Sequence, residues 1–407
     1  MLMNTKLVDN IDWVGFVDWN VRDFHGYETS RGSTYNAYLI RDEKTVLLDT
    51  VKAPYYANLL RNVSELVPLD QIDYVVCNHA EPDHSGSLPR VMEACPQAVV
   101  VCDQKCRETL EQYYDTSAWT FQVVKTGDEL KTGRFTLQFV ETPMAHWPDS
   151  MATYIPEEKI LFSMDAFGQH YATSGRYDDE VSCAEAIAEA KTYYANILMC
   201  YERPVSKALD YIDNLDVTLI APSHGVMWRK HVTDILAAYR DWVVCKPEPK
   251  VLIMYDTMWK STEQMAQAIY EGVLEKGVRC DLRYIRATHI TVLATEIMDA
   301  ATVAVGSATL NQTLMPQCAA ALTYLMGLRP ARKAGFAFGS YGWGKGGPEA
   351  VQEYLDKMKI RSLREPLKGR YAPDEAVLEA CRAAGRMLAE EALKICEQQE
   401  NGESPDK

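Results

Sequence analysis

The chain has no C-x-x-C pair, no G-x-G-x-x-G turn after a first strand, no excess of positive charge, and no apolar run near the ~18 residues that cross a bilayer. Each absence closes a class. The eleven cysteines are odd in number and scattered, several of them inside apolar runs such as Ala98–Cys102. They read as small hydrophobes in a reducing compartment, not as a disulfide framework. Lys+Arg 42 against Asp+Glu 57 leaves a net charge of −15, which disfavours a nucleic-acid binder, since that class needs a basic face to neutralise phosphates. Met1–Asp12 has one lysine and no apolar segment, unlike a secretory signal. The expectation is a cytoplasmic protein with neither nucleic-acid nor membrane partners.

What is present suffices for two domains: 407 residues, 47% of them hydrophobic. Charge marks the division. Residues 250–407 carry 20 basic and 20 acidic side chains, so the whole −15 lies in residues 1–249. Between the halves, Cys245–Lys250 holds two prolines at alternate positions, an extended connector reaching at most roughly 20 Å. The expected division is 1–247, 248–397, and a flexible polar tail at 398–407. There is no internal repeat.

The first half alternates strand patterns (Thr34–Ile40, Thr45–Asp49, Tyr74–Cys77, Val99–Cys102, Phe135–Val140, Lys159–Phe162, Val217–Ala221) with helical ones at Tyr55–Leu66, Leu88–Ala94 and Ala184–Ala195. The second half is a cleaner β/α alternation. Its strands are expected at Val251–Tyr255, Val278–Ile285, Thr302–Val305 and Ala334–Phe338, with a helix from about Thr262 to Lys276 stopped by Gly277. That pattern predicts a doubly wound parallel sheet.

His79, Glu81, Asp83 and His84 fall within six residues directly after a strand, in a loop shaped by Pro82 and Gly86. Alone, this is also how a polar loop caps a helix. Three further residues weigh against that reading. His146, Asp165 and His224 each follow another strand end, where open α/β sheets gather their ligands. Four histidines and three carboxylates exceed one tetrahedral ion and suit two metals if one carboxylate bridges. Affinity order alone would favour zinc over ferrous iron.

In the second half, Thr257-Met258-Trp259-Lys260-Ser261-Thr262 joins a strand to a helix N-terminus, a place for a phosphate monoester or for simple capping by a hydroxyl. Two later strand-end loops follow, Thr309-Leu310-Asn311-Gln312 and Ser340-Tyr341-Gly342-Trp343-Gly344. The latter offers aromatic faces for a flat ring and glycines that let backbone approach it.

The first constellation resembles the H-x-H-x-D-H motif of the metallo-β-lactamase fold, with Glu81 in place of the second histidine. That carboxylate suits iron better than the imidazole preferred in zinc hydrolases. The second constellation resembles flavodoxin, whose T-x-T-G-x-T loop is altered here at Trp259 and Lys260. Together, and over nearly the whole chain, they resemble the flavodiiron proteins (A-type flavoproteins), most closely the rubredoxin:oxygen oxidoreductases of anaerobes. The resemblance implies an α/β chain: an N-terminal metallo-β-lactamase-like αββα domain followed by a flavodoxin-like doubly wound parallel sheet.

It also implies a diiron centre of two iron ions and an FMN. One iron would take His79, Glu81 and His146, the other Asp83, His84 and His224, with Asp165 bridging. His25 and Tyr194 match family positions near substrate; the alternatives are a surface-loop histidine and an ordinary core tyrosine, with Tyr193 beside it. His170 reads as a solvent-facing or packing residue, and His231 and His289 as surface residues. Trp147 lines a subunit contact or the core.

The expected activity is reduction of dioxygen to water, of nitric oxide to nitrous oxide, or both. A separate rubredoxin-like donor would supply the electrons, since no C-x-x-C allows a fused rubredoxin. The short connector and the family pattern imply a head-to-tail homodimer or a dimer of dimers. Six cations between Lys357 and Arg370, against Glu365 alone, suggest a docking face for an acidic donor. Two other readings are a binuclear zinc hydrolase with a flavodoxin-like appendage and a flavin carrier with a non-catalytic first domain.

Overall fold

A computed structural model describes residues 5–401. The described residues divide into two compact units, one reaching Tyr194 and including Tyr201–Arg240, the other made of Ala195–Cys200 and the chain from Asp241 onward.

The first unit is built on two large sheets, with two short two-stranded ones beside them among the described residues. One contains β1 (Thr5–Val8), β2 (Ile11–Trp13), β3 (Tyr38–Ile40), β4 (Thr45–Leu48), β5 (Ile72–Val76), β6 (Val99–Cys102) and β7 (Thr120–Val123), side by side in chain order. Pairing is antiparallel from β1 to β4 and parallel from β4 to β7. The other, also in chain order, contains β8 (Glu129–Lys131), β9 (Thr136–Glu141), β10 (Met151–Ile155), β11 (Ile160–Met164) and β12 (Leu219–Pro222).

Alternation along the strands sorts the core into layers. Val46, Leu48, Val76 and Val101 turn toward Phe139, Met151, Ile160 and Phe162 and fill the space between the sheets. Their neighbours Leu47, Val75 and Val100 turn the other way, against α1 (Tyr56–Ser64), α2 (Leu88–Ala94) and α3 (Gln104–Tyr113). Three more helices follow: α4 (Cys183–Ile197), α5 (Glu202–Ile212) and α6 (Val232–Val243). Truncating one of the buried phenylalanines, such as Phe162, would cost about 3–5 kcal/mol.

The second unit is a parallel sheet of β13 (Glu248–Asp256), β14 (Arg279–Tyr284), β15 (Ala300–Ser307), β16 (Ala334–Tyr341), β17 (Arg361–Ser362) and β18 (Leu367–Arg370). Its order is β14-β13-β15-β16, with β17 and β18 pairing opposite ends of β16. The helices are α7 (Ser261–Leu274), α8 (Ile290–Asp299), α9 (Pro316–Leu328), α10 (Gly347–Lys357) and α11 (Glu375–Glu400). Gly277, at φ +68°, takes the left-handed turn after α7. α7 and α11 pack backbone to backbone: a Cβ at Gly385 would stand 2.0 Å from the Ile269 carbonyl, and one at Gly272 2.0 Å from that of Arg382.

This is the expected order, a metallo-β-lactamase-like domain followed by a flavodoxin-like parallel sheet. α11 runs through residues 398–400, and the rest of the expected tail from 402 lies outside the described residues. Among the described residues, no helix is long and apolar enough to cross a membrane.

Candidate functional site

The metal-type loop begins where β5 ends. Asn78 is fixed there by Asp49, whose carboxylate accepts from its backbone N–H at 2.8 Å and its side-chain amide at 2.9 Å. The chain then turns through a one-turn helix, Pro82–Ser85, whose first N–H groups bond to the Glu81 carbonyl. Gly86 closes the turn against Ala53 so tightly that a Cβ would stand 2.3 Å from the Pro82 carbonyl. The fold brings His146, Asp165 and His224 to this loop from three other strand ends.

All seven candidate ligands converge, in two adjoining groups. Ligand atoms of His79, Glu81, His146 and Asp165 lie within 4.8 Å of one another, as do those of Asp83, His84 and His224. His79 and His146 place Nε2 3.3 and 3.2 Å from Oε2 of Glu81. His84 and His224 place Nε2 3.2 and 3.0 Å from Oδ2 of Asp83. Asp165 stands between the groups. Its Oδ2 is 3.5 Å from His146 and 3.7 Å from His79, and its Oδ1 is 3.3 Å from His84 and 3.5 Å from His224.

Burial opposes every charge in the cluster, and only the partners hold them. Despite burial, Asp149 and Glu81 hold the His79 imidazole well above its ordinary value. Burial likewise works against His84 and His146, yet neighbouring carboxylates raise both to about 9. Facing histidines hold Asp165 well below the carboxylate range against its burial. Several atoms remain buried without a hydrogen-bond partner: Asp83 Oδ1, both ring nitrogens of His84, and Asp165 Oδ2. An unpaired buried polar atom costs about 1–3 kcal/mol, so a cluster of them marks a site shaped for something else.

Residues behind the ligands were not apparent in the sequence. Asp149 lies 3.0 Å from Nδ1 of His79 and accepts from the Ala80 N–H at 2.7 Å, which turns Nε2 of His79 into the cluster. The Thr34 carbonyl does the same for His224, 2.6 Å from its Nδ1. Tyr193 and Ser223 each donate to Asp165 Oδ1 at 2.9 Å. A lone aspartate before a serine, or a backbone carbonyl, gives no sequence signal.

His25 comes close, its Nε2 3.0 Å from Oε1 of Glu81. It stands at a cavity of about 490 Å³ lined also by Phe24, Lys52, Asp83 and Tyr114. Tyr194 is fully buried with its ring edge-on to Tyr239, whereas the neighbouring Tyr193 carries the hydroxyl that reaches Asp165. His170 packs against Phe24, Tyr193 and His224, with Nδ1 2.9 Å from the Ser33 hydroxyl. Trp147 sets its ring edge-on to His79 at 5.1 Å. His231 is paired with Asp234 and His289 caps α8.

In the second unit, the three loops meet at the carboxyl ends of β13, β15 and β16. Asp256 pins the first, accepting from the Thr257 N–H at 2.8 Å and from Arg286 Nε at 2.7 Å. Lys260, at φ +67°, turns the chain into α7. The Thr257 hydroxyl is buried without a partner, while Thr262 is committed to the Ser340 hydroxyl at 2.8 Å. Leu310 and Thr313 bond reciprocally around Asn311 and Gln312, both with positive φ. Trp259 is 90% and Trp343 94% exposed, and Met258 is also exposed. Large apolar rings so fully in water are uncommon and point to a ligand or partner surface.

The basic stretch 357–370 does not form one patch. Arg370 pairs with Tyr341 at the loop end of β16, and Arg361 pairs with Ala334 at its other end. Over the eight residues of β16 those ends are separated by roughly 23 Å. Lys368 is also paired to Glu349, and Arg361 to Glu391. Contiguous sequence becomes two surfaces because the chain crosses the sheet edge between them.

The architecture and site define a class: a metallo-β-lactamase-like domain with two adjoining ligand groups, joined to a flavodoxin-like domain with its strand-end loops. Family profiles agree, "ODP family beta lactamase" matching residues 34–225 and "Flavodoxin" residues 253–385. A nitric oxide reductase of Moorella thermoacetica is 44% identical over 394 residues, covering 96% of this chain and 99% of that one. The rubredoxin oxygen:oxidoreductase of Desulfovibrio gigas superposes with a TM-score of 0.94 at 38% identity, covering 96% of this chain and 99% of that one. The flavodiiron protein of Giardia intestinalis does so with a TM-score of 0.94 at 39% identity, covering 97% and 98%. The chain belongs to the flavodiiron protein family, and it is an oxidoreductase.

Proposed function

We propose that the chain reduces dioxygen to water, nitric oxide to nitrous oxide, or both, at a two-iron centre, with FMN relaying electrons from a separate rubredoxin-like donor. The observation that carries this reading is the stance of Asp165, one oxygen toward His79 and His146 and the other toward His84 and His224. His79, Glu81 and His146 then hold one iron, Asp83, His84 and His224 the other, and Asp165 bridges. The unpartnered atoms of Asp83, His84 and Asp165 fit that role, and Glu81 favours iron over the zinc of a hydrolase. When bound, the irons supply gas binding and activation, and FMN supplies electrons.

The protein's own groups hold this arrangement in place. Asp149 and the Thr34 carbonyl fix the ring orientations of His79 and His224, and Tyr193 and Ser223 hold Asp165. His25 stands at the cavity mouth with Nε2 beside Glu81, where it can hold a proton for the reaction. In this reading Tyr193 does what the sequence suggested for Tyr194.

The flavin loops fit FMN by the same test. The unpartnered Thr257 hydroxyl and the N–H groups that open α7, which lack a side-chain cap, would suit the phosphate, and Trp259 and Trp343 would face the ring. Met258, Lys260, Thr309–Gln312 and Ser340–Gly344 complete the cradle, with Thr262 bracing Ser340 from behind. A nitric oxide reductase and a rubredoxin oxygen:oxidoreductase among the relatives support the two gases and the donor. An acidic donor would meet Lys345 and Arg370 at the loop end of the sheet. We place the protein in the cytoplasm as a head-to-tail homodimer or dimer of dimers, with domains at 1–247 and 248–397.

Gas consumption by the purified protein with reduced rubredoxin tests this. Wild type should consume nitric oxide or dioxygen. Asp165→Ala should lose metal and turnover and keep FMN; full turnover in that variant refutes the bridge.

A further inference from the structure

At the end of the parallel sheet opposite the flavin loops lies a cavity of about 740 Å³, every lining residue of which belongs to the flavodoxin-like unit. Six of its eleven lining residues are cations, Arg329, Arg332, Lys333, Lys357, Lys359 and Arg361, and none is acidic. In a chain of net charge −15, this is a local reversal of sign.

Cations are expected where helices end, and α9 and α10 both end here. Each helix end carries about half a negative charge, so the two together offset roughly one cation. Arg361 is engaged by Glu391, and Arg332 bonds to the Val244 carbonyl. Lys333 donates to the Met298 carbonyl at 2.7 Å, and the remaining three, Arg329, Lys357 and Lys359, have no carboxylate within ion-pair distance among the described residues. Lys333 is only 4% exposed, and burial pushes its ammonium down to about 8. Such a concentration of like charge in a concave site calls for a multivalent anion.

The rest of the lining narrows the ligand. Met326, Pro330, Met358 and Ile395 form an apolar wall beside the cations. The volume lies within the roughly 300–1,000 Å³ of small-molecule sites. An inorganic ion would use the charges and leave that wall wet. Arg329, Arg332 and Lys359 also have φ of 55°, 58° and 60°, so three cationic residues share a backbone conformation that side chains adopt at some cost.

We propose that this cavity binds a small organic polyphosphate of the nucleoside diphosphate class, at a site separate from the flavin and the metals. Its phosphates meet Arg329, Lys357 and Lys359. Its organic group covers the wall of Met326, Met358 and Ile395.

The test is calorimetric titration of FMN-loaded, metal-loaded protein with ADP and, separately, with inorganic pyrophosphate at low salt. ADP should bind saturably at one site per chain, at least about tenfold more tightly than pyrophosphate. Arg329→Asn with Lys359→Asn, a pair that keeps a residue tolerant of positive φ, should weaken ADP at least about tenfold. Flavin content should be unchanged, and Arg279→Gln, far from the cavity, should bind as wild type. Absence of saturable ADP binding, equal affinity for pyrophosphate, or equal loss in Arg279→Gln would each overturn the proposal.

Discussion

Asp149 faces His79 across 3.0 Å, its carboxylate at the Nδ1 of a ring whose other nitrogen points into the metal-type cluster. The same oxygen accepts from the Ala80 N–H, so the ring and the loop are held together. Removing the carboxylate frees the ring to rotate and lowers its basicity. Asp149→Ala should lose about 10–100-fold in metal affinity, read by competition with a chelator, while the flavin visible spectrum stays unchanged. Unchanged metal retention would show that His79 needs no such support.

Tyr193 and Tyr194 separate by one hydroxyl each. Tyr193→Phe removes a donor to the Asp165 carboxylate, an interaction of the charged kind worth about 1.5–3 kcal/mol. Gas turnover should fall about tenfold or more. Tyr194→Phe, away from Asp165, should cost no more than about 1 kcal/mol of stability and keep turnover. The reverse pattern would return the functional role to Tyr194.

Thr257 and Thr262 make a similar contrast at the flavin loops. Thr257 has a buried hydroxyl without a partner, whereas Thr262 is bonded to Ser340. Thr257→Ala should weaken FMN at least about tenfold in equilibrium dialysis without changing the melting temperature of the apoprotein. Thr262→Ala should lower that temperature as well. Equal FMN retention in Thr257→Ala would remove that hydroxyl from the phosphate site.

His170 supplies a pH dependence. Burial first, and then the nearby His224, press its imidazole down to about 3 from the usual 6.5. Between those values the unfolded chain binds a proton that the folded chain refuses, so this residue lowers stability as pH falls from about 6.5 toward 3. Stability from this source is intact above pH 6.5. His170→Gln should flatten the decline in unfolding free energy between pH 6 and 4, measured with urea. An identical slope in the variant would show that His170 is not the group responsible.

How much of this was visible beforehand follows from where the information lay. The seven ligands stood out because chemistry of one kind recurs after strand patterns. Their supports did not: Asp149 is a single acid, and the partner of His224 is a main-chain carbonyl. Neighbouring tyrosines on α4 cannot be told apart without knowing the helix's rotation. β10 escaped because all five of its residues are buried, so alternation is lost. β1 and β2 are short and mixed in polarity. The flavin domain was easier, since β13, β15 and β16 are apolar runs each followed by a helix. The cations of 357–370 misled because adjacency along the chain says nothing of which end of a sheet each residue reaches.

Metal and flavin content of the protein purified without oxygen tests the two-iron assignment most directly. Elemental analysis together with the visible spectrum should give two irons and one FMN per chain, and Asp165→Ala should lose iron while keeping the flavin bands. Two zincs per chain with no flavin absorbance would contradict it.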